Sequence, residues 1–346
     1  MVAAYARSLK AKVKQSLVAQ SGQSSVVSRA YFAVINKAFV REQMSVAAGQ
    51  DRYRRDLEAS LPSYPQLRRN VHRLEKGLVM RPRRRVFGLD YLNDTLDLFA
   101  RALNAQPQNW NSETTWAHDV FVSYFAAVDH SNEKVSAALE KFQTIVSQAM
   151  PRETTSFSPY RRDLERPVSV GIDAFEALTR RRRSVRWYLD KPVPREMIDR
   201  AVSAAAQAPS ACNRQSFVLH IFDEPEKARD VARLAMGTAG FGAHLPAIAV
   251  VVGRLRAYPH ERDRHAIYVD GALAAMSFMF AAETMNLATC AINWPDIAHR
   301  DVMMEQALAL EPDERVVMLI AFGWPDPDGM VPFSSKRELS QLRVYD

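Results

Sequence analysis

The chain has 346 residues, 47% of them hydrophobic and 25% charged, with a formal net charge of +7. Such a length and apolar fraction suit one large domain or two ordinary ones, and they exclude a disordered or fibrous chain. Its two cysteines, Cys212 and Cys290, exclude a disulfide framework and, without metal-ligand spacing, a structural zinc or an iron–sulfur cluster.

The positive charge is uneven: Met1 to Arg85 holds 18 Lys and Arg against 5 Asp and Glu, and the remainder is near neutral or mildly acidic. The N-terminal "MVAAYARSLKAKVKQ" is interrupted by charge before an apolar signal-peptide core can form. The longest apolar runs, "LPAIAVVVG" and "ALAAMSFMFAA", fall short of the roughly 18 residues of a membrane span and read as buried core. The expected compartment is the cytoplasm.

Three parts are expected in chain order: a helical, basic region over 1–150, a linker over 151–170 and an alternating helix–strand domain over 171–346. Within the first, "SSVVSRAYFAVINKAFVREQM" repeats Val27, Tyr31, Ile35 and Phe39 at i, i+4 spacing, which predicts one helix. "DYLNDTLDLFARAL" predicts another, and a long third helix broken near "DHSN" is expected from His118 to Met150. "AQPQNWNSETTW" reads as a loop.

Between these, "YPQLRRNVHRLEKGLVMRPRRR" gathers Arg68, Arg69, His72, Arg73, Lys76 and Arg83 to Arg85 on one helix and its exit at Gly77. Two readings stand side by side: a solvated face, or a surface for an acidic substrate, a partner or the periphery of an anionic membrane. Nucleic acid is not expected, because aromatics that would stack on bases are not interleaved with the charge.

The segment "MPRETTSFSPYRRDLERPVS" carries three prolines and no apolar period, as a linker does. Beyond it, helices are expected at "IDAFEALTRRR", "PREMIDRAVSAAAQA" and "EPEKARDVARLAM", and a helix apolar nearly all round from His265 to Leu287. Strands are expected at "SFVLHIF", "AIAVVVG" and "RVVMLIAFG".

Chemistry is concentrated at three element ends in this last part. In "RRRSVRWYLDKPVP", Arg182, Arg183, Ser184 and Arg186 follow a helix and enter an extended segment; they suit a phosphate bound in bidentate fashion, or a helix C-terminus favoured by its dipole. In "AAQAPSACNRQSF", Pro209 stops a helix and Ser210, Asn213 and Gln215 present donors and acceptors that match a heterocyclic edge, or merely close a turn. In "AETMNLATCAINWPD", the chain emerges from the long helix toward Asn293 and Trp294.

"RRSVR", "APSACNRQ", "NLATCAINW", "IAFGWP" and the late basic "SSKREL" occur in an order and at separations that resemble the flavin-dependent nitroreductase family, over roughly Ile172 to Asp346. The N-terminal half resembles no family. The resemblance implies an α+β fold, a nitroreductase-like central mixed β-sheet flanked by helices, here preceded by the mostly helical N-terminal region. It implies FMN held without a covalent bond at the interface of a homodimer. Arg182, Arg183, Ser184, Val185 and Arg186 would hold the phosphate, ribityl chain and pyrimidine edge. Pro209, Ser210, Asn213 and Gln215 would lie against the ring system, Ala291, Ile292 and Asn293 would pass its N5, and Lys336 and Arg337 would close on the phosphate.

The activity so implied is an oxidoreductase that takes hydride from NADH or NADPH and passes electrons, in ping-pong fashion, to a nitro-, quinone- or enone-like small molecule. The other reading is a flavin-binding regulatory or scaffold protein of a biosynthetic assembly, such as one for surface polysaccharide. No metal is implied. The sequence departs from the family pattern at Ser216, where proline is usual, at Asn286 and Ala288, where a Gly-rich turn is commoner, and at Trp294, where a small residue is frequent. Trp294 is open to two roles, beside a flavin or in the core. The same holds for Cys212, as a reactive thiol or a small buried hydrophobe.

Overall fold

A computed structural model describes residues 13–59, 64–106, 110–150 and 157–346. The first twelve residues and residues 60–63 of the basic region expected over 1–150, the centre of its loop at 107–109 and the start of the linker at 151–156 lie outside the described residues.

The single helix expected over 24–44 is broken. Helix α1, Ser25–Ala30, passes into a π-helical turn, Tyr31–Ile35, and a 3-10 turn, Lys37–Phe39, before α2, Val40–Glu58. Asn36 makes the break: its backbone is extended (φ −119°, ψ 97°) and its side chain accepts from Ala38 N at 3.1 Å. A short polar side chain offers the backbone this alternative, and apolar periodicity does not register it. Four further helices follow: α3 (Tyr64–Val79), α4 (Leu92–Ala105), α5 (Ser112–Phe125) and α6 (Glu133–Ser147). The expected break at "DHSN" separates α5 from α6, with Asn132 capping the latter through Lys134 N and Val135 N. Leu67, Val71, Phe99, Phe121, Tyr124 and Phe142 form a core built mainly from α3–α6, with Leu57 of α2 packed against it.

The C-terminal half is a three-layer arrangement. Helices α7 (Ile172–Arg181) and α8 (Arg195–Ala205) precede β1 (Phe217–Phe222), α9 (Pro225–Leu234) and β2 (Ala247–Arg254). Then come α10 (Ala266–Thr284), β3 (Ala288–Asn293), α11 (Ala298–Leu308), β4 (Glu314–Gly323) and the short α12 (Leu339–Leu342). Strand order is β1-β2-β4-β3, every neighbouring pair antiparallel. The four strands are thus all antiparallel where a mixed sheet was expected; the parallel contact is an isolated bridge from Ser184, outside the strands, to Thr289 of β3.

Both faces of the sheet are covered, so β2 reads "AIAVVVG" without polar alternation. Ala247, Ala249 and Val251 pack against α8 and α10, while Ile248, Val250 and Val252 pack against α9 and α11. β3 was not expected as a strand, although "ATCAIN" is its whole sequence. α10 is long and apolar enough by composition to cross a bilayer, against the sequence-based expectation. One side of it nevertheless packs on the sheet, with Ile267, Ala274, Phe278 and Ala282 buried, as a core helix requires.

His220 on β1 is partly desolvated, which holds its imidazole pKa below the usual 6.5. Its folded-state pKa is depressed, so its stabilising contribution is complete above about pH 6.5 and is lost as the pH falls from there through the folded-state value. Urea unfolding at pH 7.5 and about pH 5.5 should show a loss that His220→Gln reduces.

The halves meet where α2 crosses the turn after β2. A Cβ on Gly49 would lie 2.7 Å from Leu255 Cβ and 2.8 Å from Leu255 C, so only glycine permits this approach. Gly49→Val should cost about 1–3 kcal/mol by overpacking. Limited proteolysis checks this, and faster release of an intact C-terminal half is the expected outcome.

Candidate functional site

The arginine segment is held along the edge of the sheet. α7 ends at Arg181, Arg182 turns extended (φ −60°, ψ 116°), and Val185 N donates to Thr289 O at 3.0 Å. Tyr188, buried, donates its hydroxyl to Val185 O at 2.7 Å, and Leu189 N donates to Trp324 O at 2.9 Å. These bonds fix the backbone between Arg182 and Leu189.

Charge along this segment divides into two groups. Arg180 pairs with Glu176 and Arg181 with Glu283, each at 2.8 Å, as a helix C-terminus would arrange them. Among the described residues, no carboxylate pairs with Arg182, Arg183 or Arg186. Arg183 donates to Pro332 O at 3.0 Å, and Arg186 to Ser184 O at a long 3.4 Å. Arg182 Nε and the neighbouring Thr289 Oγ1 are buried without a partner. Burial pushes the Cys290 thiol pKa up, while Arg186, Ser184 and Arg182 draw it down.

The second segment is a strained loop after α8. Cys212, Asn213 and Gln215 all have φ near +50°, a conformation that costs non-glycine residues energy and persists only when surroundings impose it. Ser210 Oγ accepts from Gln215 N at 3.0 Å, Gln215 Nε2 donates to Ala206 O at 3.1 Å, and Arg68 of α3 donates to Asn213 O at 2.7 Å. From below, Asp270 on α10 accepts from Ala211 N, Ser216 Oγ and Tyr258 Oη. Ser216, where the family pattern has proline, thus contributes a hydroxyl to a buried network. Pro209 is exposed and Ser210 half-buried.

The third segment is β3 itself. Ala291 and Asn293 are exposed on either side of buried Ile292. Asn286, where a glycine is commoner, sits at φ 61°, a left-handed position that asparagine tolerates. Trp294 takes the core role: it is buried and donates to Asp301 Oδ1 at 2.7 Å. Lys336 and Arg337 lie on an exposed tail; among the described residues no hydrogen bond or ion pair joins them to Arg182, Arg183 or Arg186.

The expected pieces therefore do not converge within one chain. The arginine segment is tied to Glu283 near the C-terminal end of α10, and the 209–215 loop to Asp270 near its N-terminal end. At 1.5 Å per residue these points are separated by about 20 Å along the helix. On its N-terminal half α10 exposes Val269 and Leu273.

Sequence reasoning missed Thr289, Asp270 and Arg214. The alternation in "ATCAIN" could have placed Thr289 on a strand; nothing in the sequence pairs Asp270 with residue 211. On the basic helix α3, Arg73 pairs with Asp90 at 3.2 Å and stacks 3.6 Å from the Tyr91 ring centroid, and Arg68 pairs with Glu113 at 2.8 Å. Among the described residues His72 hydrogen-bonds to Glu75 of its own helix. Arg83, Arg84 and Arg85 are exposed.

Fold and site define an α+β domain with a helix-covered sheet and three guanidinium groups without carboxylate partners along its edge. Residues 179–241 and 233–324 match the nitroreductase family model. The C-terminal half is a nitroreductase-family domain, and no family model matches the N-terminal half. Similar solved structures include an FMN-dependent nitroreductase from Clostridium difficile R20291, 20% identical, covering 49% of this chain and 98% of that one with a TM-score of 0.42. A nitroreductase family protein from Streptococcus pneumoniae TIGR4 is 18% identical and covers 50% and 100% of the two chains, with a TM-score of 0.43. No curated protein matched.

Proposed function

We propose that this protein is an FMN-dependent oxidoreductase, a homodimer that takes hydride from NADH or NADPH and passes electrons to a nitro-, quinone- or enone-like small molecule by a ping-pong mechanism. The observation that carries this reading is the division of charge along the arginine segment: Arg180 and Arg181 have carboxylate partners, whereas among the described residues Arg182, Arg183 and Arg186 have none and Arg182 Nε is buried unpaired. An unpaired cation loses hydration as it is partly buried, and a phosphate carrying nearly two negative charges would offset that cost.

The residues fit FMN in kind. Arg182 and Arg183 would hold its phosphate, Ser184 would add a hydroxyl, and Arg186 would set a positive charge against the pyrimidine edge. FMN, when bound, supplies two-electron transfer between a nicotinamide and an acceptor. The chain's own part is to position and to exclude water: Ala291 to Asn293 form one wall, and Arg186 stabilises negative charge developing beside it.

Homodimerisation fits the separation along α10. A second copy running antiparallel would bring its 209–215 loop, with Pro209, Ser210, Asn213 and Gln215, to the first copy's arginine segment. The exposed Val269 and Leu273 of α10, Ile172 and Phe175 of α7, and Phe333 and Leu342 of the tail would supply apolar contact. Lys336 and Arg337 would follow the tail across. The test is steady-state kinetics with each nicotinamide and a quinone or nitroaromatic acceptor. Parallel double-reciprocal lines are expected, and flavin that remains oxidised under either nicotinamide would contradict the activity and favour a scaffold.

A further inference from the structure

Where the helical half docks on the sheet domain, a cleft of about 320 Å³ opens between α3 and the turn after β2, lined by Tyr64, Arg68, Arg214, Gln215, Arg254 and Arg256. Most of its charge is matched. Arg254 pairs with Glu314 at 2.9 Å and Arg256 with Asp313 at 2.7 Å; of the two lining carboxylates, Asp56 pairs with Arg52 at 2.9 Å and Glu113 with Arg68 at 2.8 Å through Oε1, its Oε2 being buried without a hydrogen bond.

Arg214 is the exception. It is only 6% exposed, its side chain forms no ion pair and donates no hydrogen bond among the described residues, and its Nε is buried without a partner. Its guanidinium lies 4.7 Å from the Tyr258 ring centroid, a cation–π contact that returns only part of the lost hydration. The carboxylate behind that ring, Asp270, is already taken by Tyr258 Oη, Ser216 Oγ and Ala211 N.

We propose that this cleft is a binding site for a small oxyanion, a phosphate or carboxylate group of a small molecule, with Arg214 as its principal ligand. A planar guanidinium fork matches either group in bidentate fashion. The volume admits such a group with a modest organic substituent and no polymer. Arg214 stands between Asn213 and Gln215, both at left-handed φ, and Arg68 in the same cleft donates to Asn213 O. A bound anion would therefore tie α3 to the strained loop and couple the helical half to it. Within one chain the cleft is separate from the arginine segment at Arg182, but it shares Gln215 with the loop assigned to a second copy's flavin, so the test is run with FMN saturating.

The test is thermal unfolding of the full-length protein as purified, saturated with added FMN, with inorganic phosphate or malonate at millimolar concentration against sodium chloride of equal ionic strength. The expected result is a saturable rise in Tm of about 3 °C or more with at least one of the two anions. Response to phosphate alone identifies a phosphoryl ligand, and response to malonate alone a carboxylate. Arg214→Met should abolish the response and, without anion, unfold no earlier than wild type, because an apolar side chain replaces an unpaired charge. Arg182→Ala should keep it. Arg214→Lys retains the charge without the fork and should raise the half-saturating concentration at least tenfold, which keeps the test valid if Arg214→Met does not fold. No response in wild type, a response that survives Arg214→Met or disappears with Arg182→Ala, or an unchanged midpoint in Arg214→Lys would each overturn the proposal.

Discussion

Replacing Arg182 and Arg186 together by alanine should yield colourless protein. Neither side chain has a carboxylate partner among the described residues, so little in the apoprotein is broken by their removal. What is removed is the charge that would meet the FMN phosphate and pyrimidine edge. Hydrogen bonds to charged groups contribute about 1.5–3 kcal/mol each, so FMN affinity should fall on the order of a hundredfold to ten-thousandfold. Flavin per chain in the visible spectrum, together with the urea midpoint, checks this. Lost colour with an unchanged midpoint is expected; a folded variant that keeps full occupancy would remove these arginines from the site. Arg180→Ala is the control, since its partner Glu176 lies on the same helix.

Asp301→Ala should be the most destabilising single change in the C-terminal half. Asp301 is 5% exposed and accepts from Trp294 Nε1 at 2.7 Å, while Arg41 and Arg315 each approach it at 3.3 Å. Arg315 is itself 6% exposed, and its other carboxylate partner, Asp296, is half open to solvent. Removing one member of a buried charge network leaves the others uncompensated, and about 3 kcal/mol of stability should be lost. Arg41 comes from α2 and also pairs with Glu305, so the same change loosens the helical half. The urea midpoint should fall with little change in slope. Asp301→Asn keeps an acceptor for Trp294 and should lose less.

The elements whose signals are local were legible in the sequence. β2 and β4 are short apolar runs bounded by turn residues, and α10 is an uninterrupted apolar helix. The "DHSN" break was legible because Asn132 caps α6. The split at Asn36 was not, since a single side-chain hydrogen bond decides it against an intact i, i+4 pattern. β3 was obscured because it comes directly after a helix and reads first as that helix's exit.

At the site, sequence motifs named the right segments but not their state. Whether Arg181 or Arg182 is free depends on Glu283, about a hundred residues away, and no local pattern encodes that pairing. Trp294 is open between flavin and core in the sequence alone, and its hydrogen bond to Asp301 decides for the core. Arg214 sits inside "APSACNRQ" with nothing local to distinguish it, because its lack of a partner appears only when α2, α3 and the turn after β2 are assembled around it.

The central claim is that unpaired arginines on one edge of the sheet are there for the phosphate of a flavin. FMN titration of the flavin-stripped protein, monitored by quenching of flavin fluorescence, addresses it most directly. Saturation at one FMN per chain is expected, with riboflavin, which lacks the phosphate, binding at least a hundredfold more weakly. Equal affinity for FMN and riboflavin, or no quenching at micromolar protein, would contradict it.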